Sequence, residues 1–235
     1  MTGKSGWAVS ALLFCTLLSG GCNLLGGAGV KTGAQEVEKT AAEKQKARLL
    51  KSIERRFENP DAHFELGRLY QADGLWAKAE YHYNIVLGFD PVHRQGQAAR
   101  VKVLQANGDE EQSQLSAEFY INQASSTASG SLKLGLAFQQ EKLDDYALRC
   151  YRQALGLAPN SAKINRQIGY YYLVQGDKER AGDYLRRSFQ LNANQPEVAY
   201  ELGRLGIAAQ IPRRSEKDLK KLDKIVEKAD STSKR

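Results

Sequence analysis

Residues 160–192 read NSAKINRQIGYYYLVQGDKERAGDYLRRSFQLN, a pattern that predicts two short amphipathic helices joined by a turn. The apolar stripe of the first helix consists of Ile164, Ile168 and Tyr172. Gly176 followed by Asp177 marks the turn, because glycine interrupts a helix and aspartate caps the next one. Glycine inside a helix costs roughly 1 kcal/mol relative to alanine. Gly169 therefore indicates that a neighbouring helix approaches closely at this point.

The same pattern recurs with a period of 34 residues. Steps of 34 from Gly169 reach Gly135 and Gly203, and further steps back reach Val101 and Gly67. Three columns share this spacing: glycines with an aromatic three residues later (Gly67 and Tyr70, Gly135 and Phe138, Gly169 and Tyr172), alanines (Ala79, Ala147, Ala181) and large residues (Tyr83, Tyr151, Leu185). A fixed period of this length predicts helix pairs that bury their apolar faces only by stacking on neighbours.

This pattern resembles the tetratricopeptide repeat family, which has the same period and the same order of glycine, aromatic, alanine and closing proline. The resemblance covers residues 59–208, with repeats beginning near 60, 94, 128, 162 and 196. It implies an all-α fold, a right-handed superhelical solenoid of antiparallel helix pairs. The second repeat departs most from the pattern, since Val101 replaces the glycine and Ser113 the alanine.

The N-terminus predicts an exported, lipid-anchored protein. Residues 1–21 have a short positive start and an apolar run over 7–18 that is too short to span a bilayer, as in a signal peptide. The following Cys22 stands where bacterial lipoproteins carry their acylated cysteine, although Ser19 replaces the preferred leucine. In this interpretation acyl chains on Cys22 hold the protein on a membrane. The alternative is an ordinary cleaved signal or an uncleaved anchor, in which Cys22 has no role.

Three further segments flank or connect these parts. Residues 22–34 predict a flexible spacer, residues 35–58 a charged N-terminal capping helix, and residues 209–235 a basic C-terminal capping helix and tail. In lipoproteins of Gram-negative bacteria, aspartate after the cysteine signals retention in the inner membrane. Asn23 therefore implies the outer membrane, with the domain facing the periplasm. Binding of the basic tail to anionic lipid or peptidoglycan stays open.

No signature of catalysis, cofactor or metal binding occurs in the chain, so we expect a protein that is not an enzyme, with no cofactor and no small-molecule substrate. The acidic pairs at 110–111 and 144–145 are interpreted as helix caps and dipole partners, and Asp109 and Asp177 likewise stand at helix starts. Cys150 is interpreted as a core residue rather than a nucleophile. The basic residues alternate with acidic ones, which favours a solvated surface over nucleic-acid binding despite a pI of about 9.2.

The resemblance implies that a protein or peptide segment lies in a concave groove lined by the first helix of each repeat. Predicted partner-binding residues occupy the fifth and ninth positions of these helices: Phe64, Arg68, Lys102, Leu136, Arg166, Tyr170, Tyr200 and Arg204, with Ala98 and Leu132 completing the set. Arginine and aromatic side chains dominate protein interfaces. We therefore expect the strongest patch to consist of Arg166, Tyr170, Tyr200 and Arg204. The lysine–asparagine clamp of chaperone-binding repeats is absent, because Phe64 and Arg68 stand in its first two places.

Two non-enzymatic functions fit these features. One is a lipid-anchored adaptor that recruits an envelope protein. The other is a structural subunit of an outer-membrane assembly, because the size, the layout and the segment LNANQP at 191–196 resemble type IV pilus pilotins. A barrel-assembly lipoprotein fits less well, since its repeats are longer and less regular.

Overall fold

The computed structural model describes the backbone of residues 31–208 and the side chains of residues 41–208. Over this range the chain forms ten α-helices and no strand. The helices are α1 (Lys31–Arg55), α2 (Pro60–Ala72), α3 (Trp76–Phe89), α4 (Arg94–Asn107), α5 (Glu110–Ala124), α6 (Ala128–Gln140), α7 (Asp144–Leu157), α8 (Ala162–Val174), α9 (Lys178–Leu191) and α10 (Pro196–Arg204). The predicted signal peptide, Cys22 and the C-terminal cap lie outside the described residues.

The helices from α2 onward follow the predicted period. The first helices of the successive pairs begin at residues 60, 94, 128, 162 and 196, which are 34 residues apart. The first helices α2, α4, α6 and α8 each pack against the second helix that follows after a short turn, the pairs stack in chain order, and α10 packs against α9. The predicted all-α solenoid of antiparallel, tetratricopeptide-type helix pairs is therefore confirmed.

Local capping explains where several of these helices begin. The Asn59 side chain accepts a hydrogen bond of 3.1 Å from the backbone N–H of Ala62, and Pro60 occupies the first turn of α2. The Thr127, Ser161 and Asp177 side chains cap α6, α8 and α9 in the same way. Each such cap satisfies a backbone donor that the helix itself leaves unpaired.

The acidic residues at the starts of α5 and α7 differ in part from the prediction. Asp109 stands at the start of α5 as predicted, in the N-cap position, and its side chain makes no capping hydrogen bond. The pairs at 110–111 and 144–145 lie inside the first turns of α5 and α7, whose cap positions belong to Asp109 and Leu143. The interpretation of these pairs as caps was therefore wrong. Asp144 and Asp145 still lie in the first turn of α7, where a carboxylate interacts favourably with the helix dipole.

The glycine column is where the two helices of a repeat meet. A methyl group added at Gly67 would lie 2.6 Å from the Tyr83 ring. At Gly169 it would lie 2.7 Å from the side chain of Leu185. Such distances are below van der Waals contact, so only glycine lets these helices approach. Gly203 differs, because an added methyl would meet nothing within 4 Å among the described residues, and the helix predicted after it lies beyond them.

The second repeat uses a different pair of residues at the same junction. Val101 and Ser113 are both fully buried, and the Ser113 hydroxyl donates a hydrogen bond of 3.1 Å to the backbone carbonyl of Val101. A valine replaces the glycine here, and a polar side chain stays buried because its hydroxyl is paired. The departure in sequence is therefore accommodated without loss of the helix pair.

The N-terminal segment differs from prediction in its bounds. α1 begins at Lys31, so residues 31–34 are helical rather than part of a spacer, and it ends at Arg55. The chain divides into two compact units inside this helix, one ending at Ala41 and the other beginning at Ala42. In the second unit, Lys46 forms an ion pair with Asp73. No helix within residues 31–208 is long and apolar enough to cross a membrane.

Candidate protein-binding groove

A cavity of about 400 Å³ opens between the start of the second repeat and α6. Its wall includes the turn before α4, with Asp90, Val92 and His93, and the apolar side chains of Leu136 and Ala137 on α6. His93 is positioned by its own helix, because its Nδ1 accepts a hydrogen bond of 2.9 Å from the Gly96 N–H. The cavity thus combines an apolar floor on α6 with a polar wall on α4.

A second cavity of about 290 Å³ lies next to the first. Phe64 and Arg68 of α2 line it together with Glu141 at the end of α6. The two cavities share Gln95, Ala137 and Gln140. They therefore form one continuous depression, here called the first-helix groove, which is built by α2, α4 and α6.

Positive charge exceeds negative charge along this groove. Arg68 and Lys133 reach it from exposed positions, and Arg94 lines it from a partly buried one. The Arg94 guanidinium donates to the amide oxygens of Gln97 (2.9 Å) and Gln123 (3.1 Å). Burial lowers the pKa of Arg94 below its usual range. Asp90 and Glu141 are the acidic residues among those that line the two cavities.

Three of the predicted partner-binding residues line the groove, namely Phe64, Arg68 and Leu136. Phe64 is half-buried, with its ring centroid 4.8 Å from that of His93 and 5.8 Å from that of Tyr83. The Phe64 ring is therefore packed into the wall of the groove and has only part of its surface available to a partner. Lys102 is half-buried on α4 and is not among the residues that line either cavity.

The four remaining predicted residues lie on α8 and α10. Arg166 forms a salt bridge of 2.7 Å with Glu197, and Arg204 forms one of 2.9 Å with Glu201 on its own helix. Tyr170 is half-buried against the cluster of Leu185, Phe189, Val198 and Leu202. Tyr200 is 66% exposed. This patch is balanced in charge, because each arginine has a glutamate partner. The 34-residue period of the sequence does not indicate these ion pairs.

The contact between two buried histidines, His63 and His82, was not predicted from the sequence. His63 Nδ1 lies 2.9 Å from His82 Nδ1, and His63 Nε2 lies 3.1 Å from the Phe57 carbonyl oxygen. The carbonyl can only accept, so Nε2 of His63 carries the proton, and Nδ1 of His82 donates to His63. The sequence held only a coarse signal for this contact, because His63 and His82 lie on the two helices that flank the turn at Gly74.

Exposed apolar side chains also occur away from the groove, on second helices. Tyr81 on α3 and Leu115 and Phe119 on α5 are each about 60% exposed. Cys150 on α7 is fully buried, as predicted for a core residue, and burial raises the pKa of its thiol to about 12. Among the described residues, no three His, Cys, Asp or Glu side chains group as metal ligands would.

Comparison with known proteins gives a curated relative. The chain is similar to the Type IV pilus assembly protein PilF of Pseudomonas aeruginosa, with 27% identity over 161 residues, which cover 66% of this chain and 63% of that protein. The match therefore spans less than two thirds of the relative's length. No protein-family model matches the chain.

The chain is also similar to several solved structures. A structure from the functional characterization of Pseudomonas aeruginosa pilF is 24% identical, covers 62% of this chain and 67% of that chain, and gives a TM-score of 0.37. A thermophilic TPR protein of Thermus thermophilus is 16% identical, covers 75% of this chain and 96% of that chain, and gives a TM-score of 0.40. Since both superpositions are loose, the fold assignment rests on the spacing and packing of the helices themselves.

Proposed function

We propose that this protein is a non-enzymatic scaffold that binds a segment of a partner protein in the first-helix groove. The observation that carries this proposal is the continuous depression of two cavities along α2, α4 and α6. Binding sites are usually concave, with apolar walls and a few placed polar groups. Leu136 and Ala137 supply apolar wall, while Gln95, Gln140 and Arg68 supply donors for backbone carbonyls or carboxylates.

The predicted patch on α8 and α10 extends the same proposal. Tyr200 offers an exposed aromatic surface, which contributes contact area at low entropic cost. Arg166 and Arg204 are already paired with glutamates, so a partner segment would have to exchange with Glu197 or Glu201 to reach them. We therefore place the primary contact in the first-helix groove and a secondary contact around Tyr200.

Acylation of Cys22 and attachment to the outer membrane belong to the same proposal. The small residues before Cys22 and the short apolar run support it from sequence. The relative from Pseudomonas aeruginosa is a pilus assembly protein, and this agrees with a role at the cell envelope. The anchor would restrict the scaffold to a surface and so raise the local concentration of its partner.

Site-specific photocrosslinking in cells tests the groove. A photoreactive phenylalanine analogue is placed at Arg68 or Lys133, which line the two cavities from exposed positions, and at Phe119 on α5 as an exposed control outside the groove. We expect a discrete crosslinked product from the two groove positions and none from Phe119. Crosslinking from Phe119 alone, with no product from the groove, would show that the partner binds elsewhere.

A second function is favoured by the similarity to PilF: a structural subunit of a pilus or secretin assembly. The two functions differ in stoichiometry. Affinity purification from solubilised envelope, followed by native mass measurement, should give one partner at a fixed ratio for a subunit. Several partners at low occupancy would instead favour the adaptor.

A further inference from the structure

A side-chain bridge joins the first and third repeats next to the first-helix groove. The Gln71 amide Nε2 donates a hydrogen bond of 2.7 Å to Glu141 Oε2, although the two residues are 70 positions apart. Gln71 is the penultimate residue of α2, and Glu141 directly follows α6. The bond thus spans the second repeat, and Glu141 at its far end lines the smaller cavity.

The bridge is held in place from the side of the first repeat. The Tyr83 hydroxyl donates a hydrogen bond of 2.6 Å to Gln71 Oε1, so both ends of the amide are engaged. The Tyr83 ring is fully buried against Gly67 and cannot swing away. The buried Tyr83 therefore fixes the orientation of the Gln71 amide, with Nε2 directed at Glu141.

Comparison of the repeats shows that this bridge is not a general feature of the fold. Gln139 is the third-repeat equivalent of Gln71, and its Oε1 accepts a hydrogen bond of 2.5 Å from Tyr151 in the same way. The equivalent pair one repeat further along is Gln105 of the second repeat and Gln175 of the fourth, which are also 70 positions apart. Among the described residues no side-chain hydrogen bond joins these two, so the bond between Gln71 and Glu141 is not repeated there.

We propose that Gln71 and Glu141 form a latch that holds the first and third repeats together beside the groove, and that a partner segment gains full access to the groove by breaking it. This inference rests on the proposed function, since it assigns a gate to the same groove. A single hydrogen bond between partly exposed groups is weak enough to open thermally and strong enough to bias the closed form. Binding would then be coupled to separation of the two repeats.

Exchanging the amide and the carboxylate of the bridge offers a direct test. Gln71→Glu keeps an acceptor for Tyr83 but places a second carboxylate against Glu141, which opens the latch by repulsion. The double variant Gln71→Glu with Glu141→Gln restores one donor and one acceptor with exchanged roles. Gln139→Glu is the matched control, because it changes the equivalent residue of the third repeat without touching the bridge.

Access to the groove is measured by thiol labelling of the full chain, with Ala137→Cys as the reporter. Ala137 lines both cavities and is only 2% exposed, so its labelling rate depends on opening. N-ethylmaleimide is added, and modification is followed peptide by peptide, which separates the reporter from the native cysteines. We expect Gln71→Glu to accelerate labelling several-fold, the double variant to return it to the original rate, and Gln139→Glu to leave it unchanged.

Three outcomes would overturn the latch. The first is a labelling rate that Gln71→Glu does not change. The second is an increase that the double variant fails to reverse, and the third is an increase that Gln139→Glu reproduces, because the effect would then be general loosening. Since this measurement requires no partner, failure of the latch is distinguishable from failure of the proposed function, which appears as missing crosslinks from Arg68 and Lys133.

Discussion

The Cα of Gly135 faces the ring of Tyr151 so closely that a methyl group added there would lie 2.7 Å from two ring carbons. The ring has no room to move, because it is fully buried and its hydroxyl donates a hydrogen bond of 2.5 Å to Gln139. The two helices of the third repeat are therefore spaced by the absence of a side chain at Gly135 and by the presence of an aromatic at Tyr151.

Gly135→Ala should destabilise the domain, even though alanine favours helix formation by roughly 1 kcal/mol. Overpacking in a rigid core typically costs 1–3 kcal/mol, and Gly135→Leu should cost more. Gly156→Ala is the matched control, since Gly156 lies in α7 with nothing within 4 Å of an added methyl, and it should raise stability slightly. Thermal unfolding followed by circular dichroism compares the variants. Equal melting temperatures for both alanine variants would contradict the interhelical contact.

Acid should weaken the first repeat through the histidine pair. Burial, and then the neighbouring His63, lowers the pKa of His82 from 6.5 to about 4. In the unfolded chain His82 takes up a proton near its ordinary pKa, whereas in the fold it resists protonation. The contribution of His82 to the free energy of unfolding is therefore fully present above pH 6.5. It is lost as the pH drops toward 4, and the loss is on the order of 3 kcal/mol.

Chemical denaturation at a series of pH values measures this slope. His82→Gln should flatten the dependence between pH 6.5 and 4, because it removes the titrating group. His93→Asn is the control, since asparagine keeps an N-cap acceptor for α4 and leaves the buried pair intact. A slope that survives His82→Gln unchanged would assign the acid sensitivity to other groups.

Tyr200 and Arg204 provide a test of the secondary contact on α10. Tyr200 is 66% exposed and the Arg204 side chain is 62% exposed, so replacing both with alanine should change the free energy of unfolding by no more than ~0.5 kcal/mol at each site. Co-purification of the partner should nevertheless fall. Phe119→Ala, an exposed change on α5, should leave it intact. Full retention by the folded Tyr200 and Arg204 double variant would restrict binding to the first-helix groove.

Cys22→Ser should abolish attachment of fatty acids. Metabolic labelling with an alkyne-tagged fatty acid should mark the natural chain and the control Cys15→Ser, which alters the preceding segment without removing the acceptor. The Cys22→Ser variant should carry no label and should leave the membrane fraction. Persistent labelling of this variant would exclude the proposed lipid anchor.

Much of the fold could be predicted because its determinants are local. Gly67, Gly135 and Gly169 recur at one spacing with Tyr83, Tyr151 and Leu185, and the structure pairs them in this order. The bounds of α1 were less predictable, since its sequence lacks strong capping signals and continues helical backward to Lys31. Of the predicted partner-binding residues, Phe64, Arg68 and Leu136 line cavities, whereas Lys102 at an equivalent position does not.

The sequence by itself determined the repeat, the helix pairs and the residues at their junctions, because each depends on spacing within about one period of the chain. Only the tertiary structure decided which side chains meet between elements. Gln71 reaches Glu141 across 70 residues, and Arg166 is paired with Glu197 rather than free. Such contacts depend on the angle at which successive repeats stack and on the rotamers that this angle allows. No spacing within one repeat encodes that geometry, because it accumulates over the intervening helices.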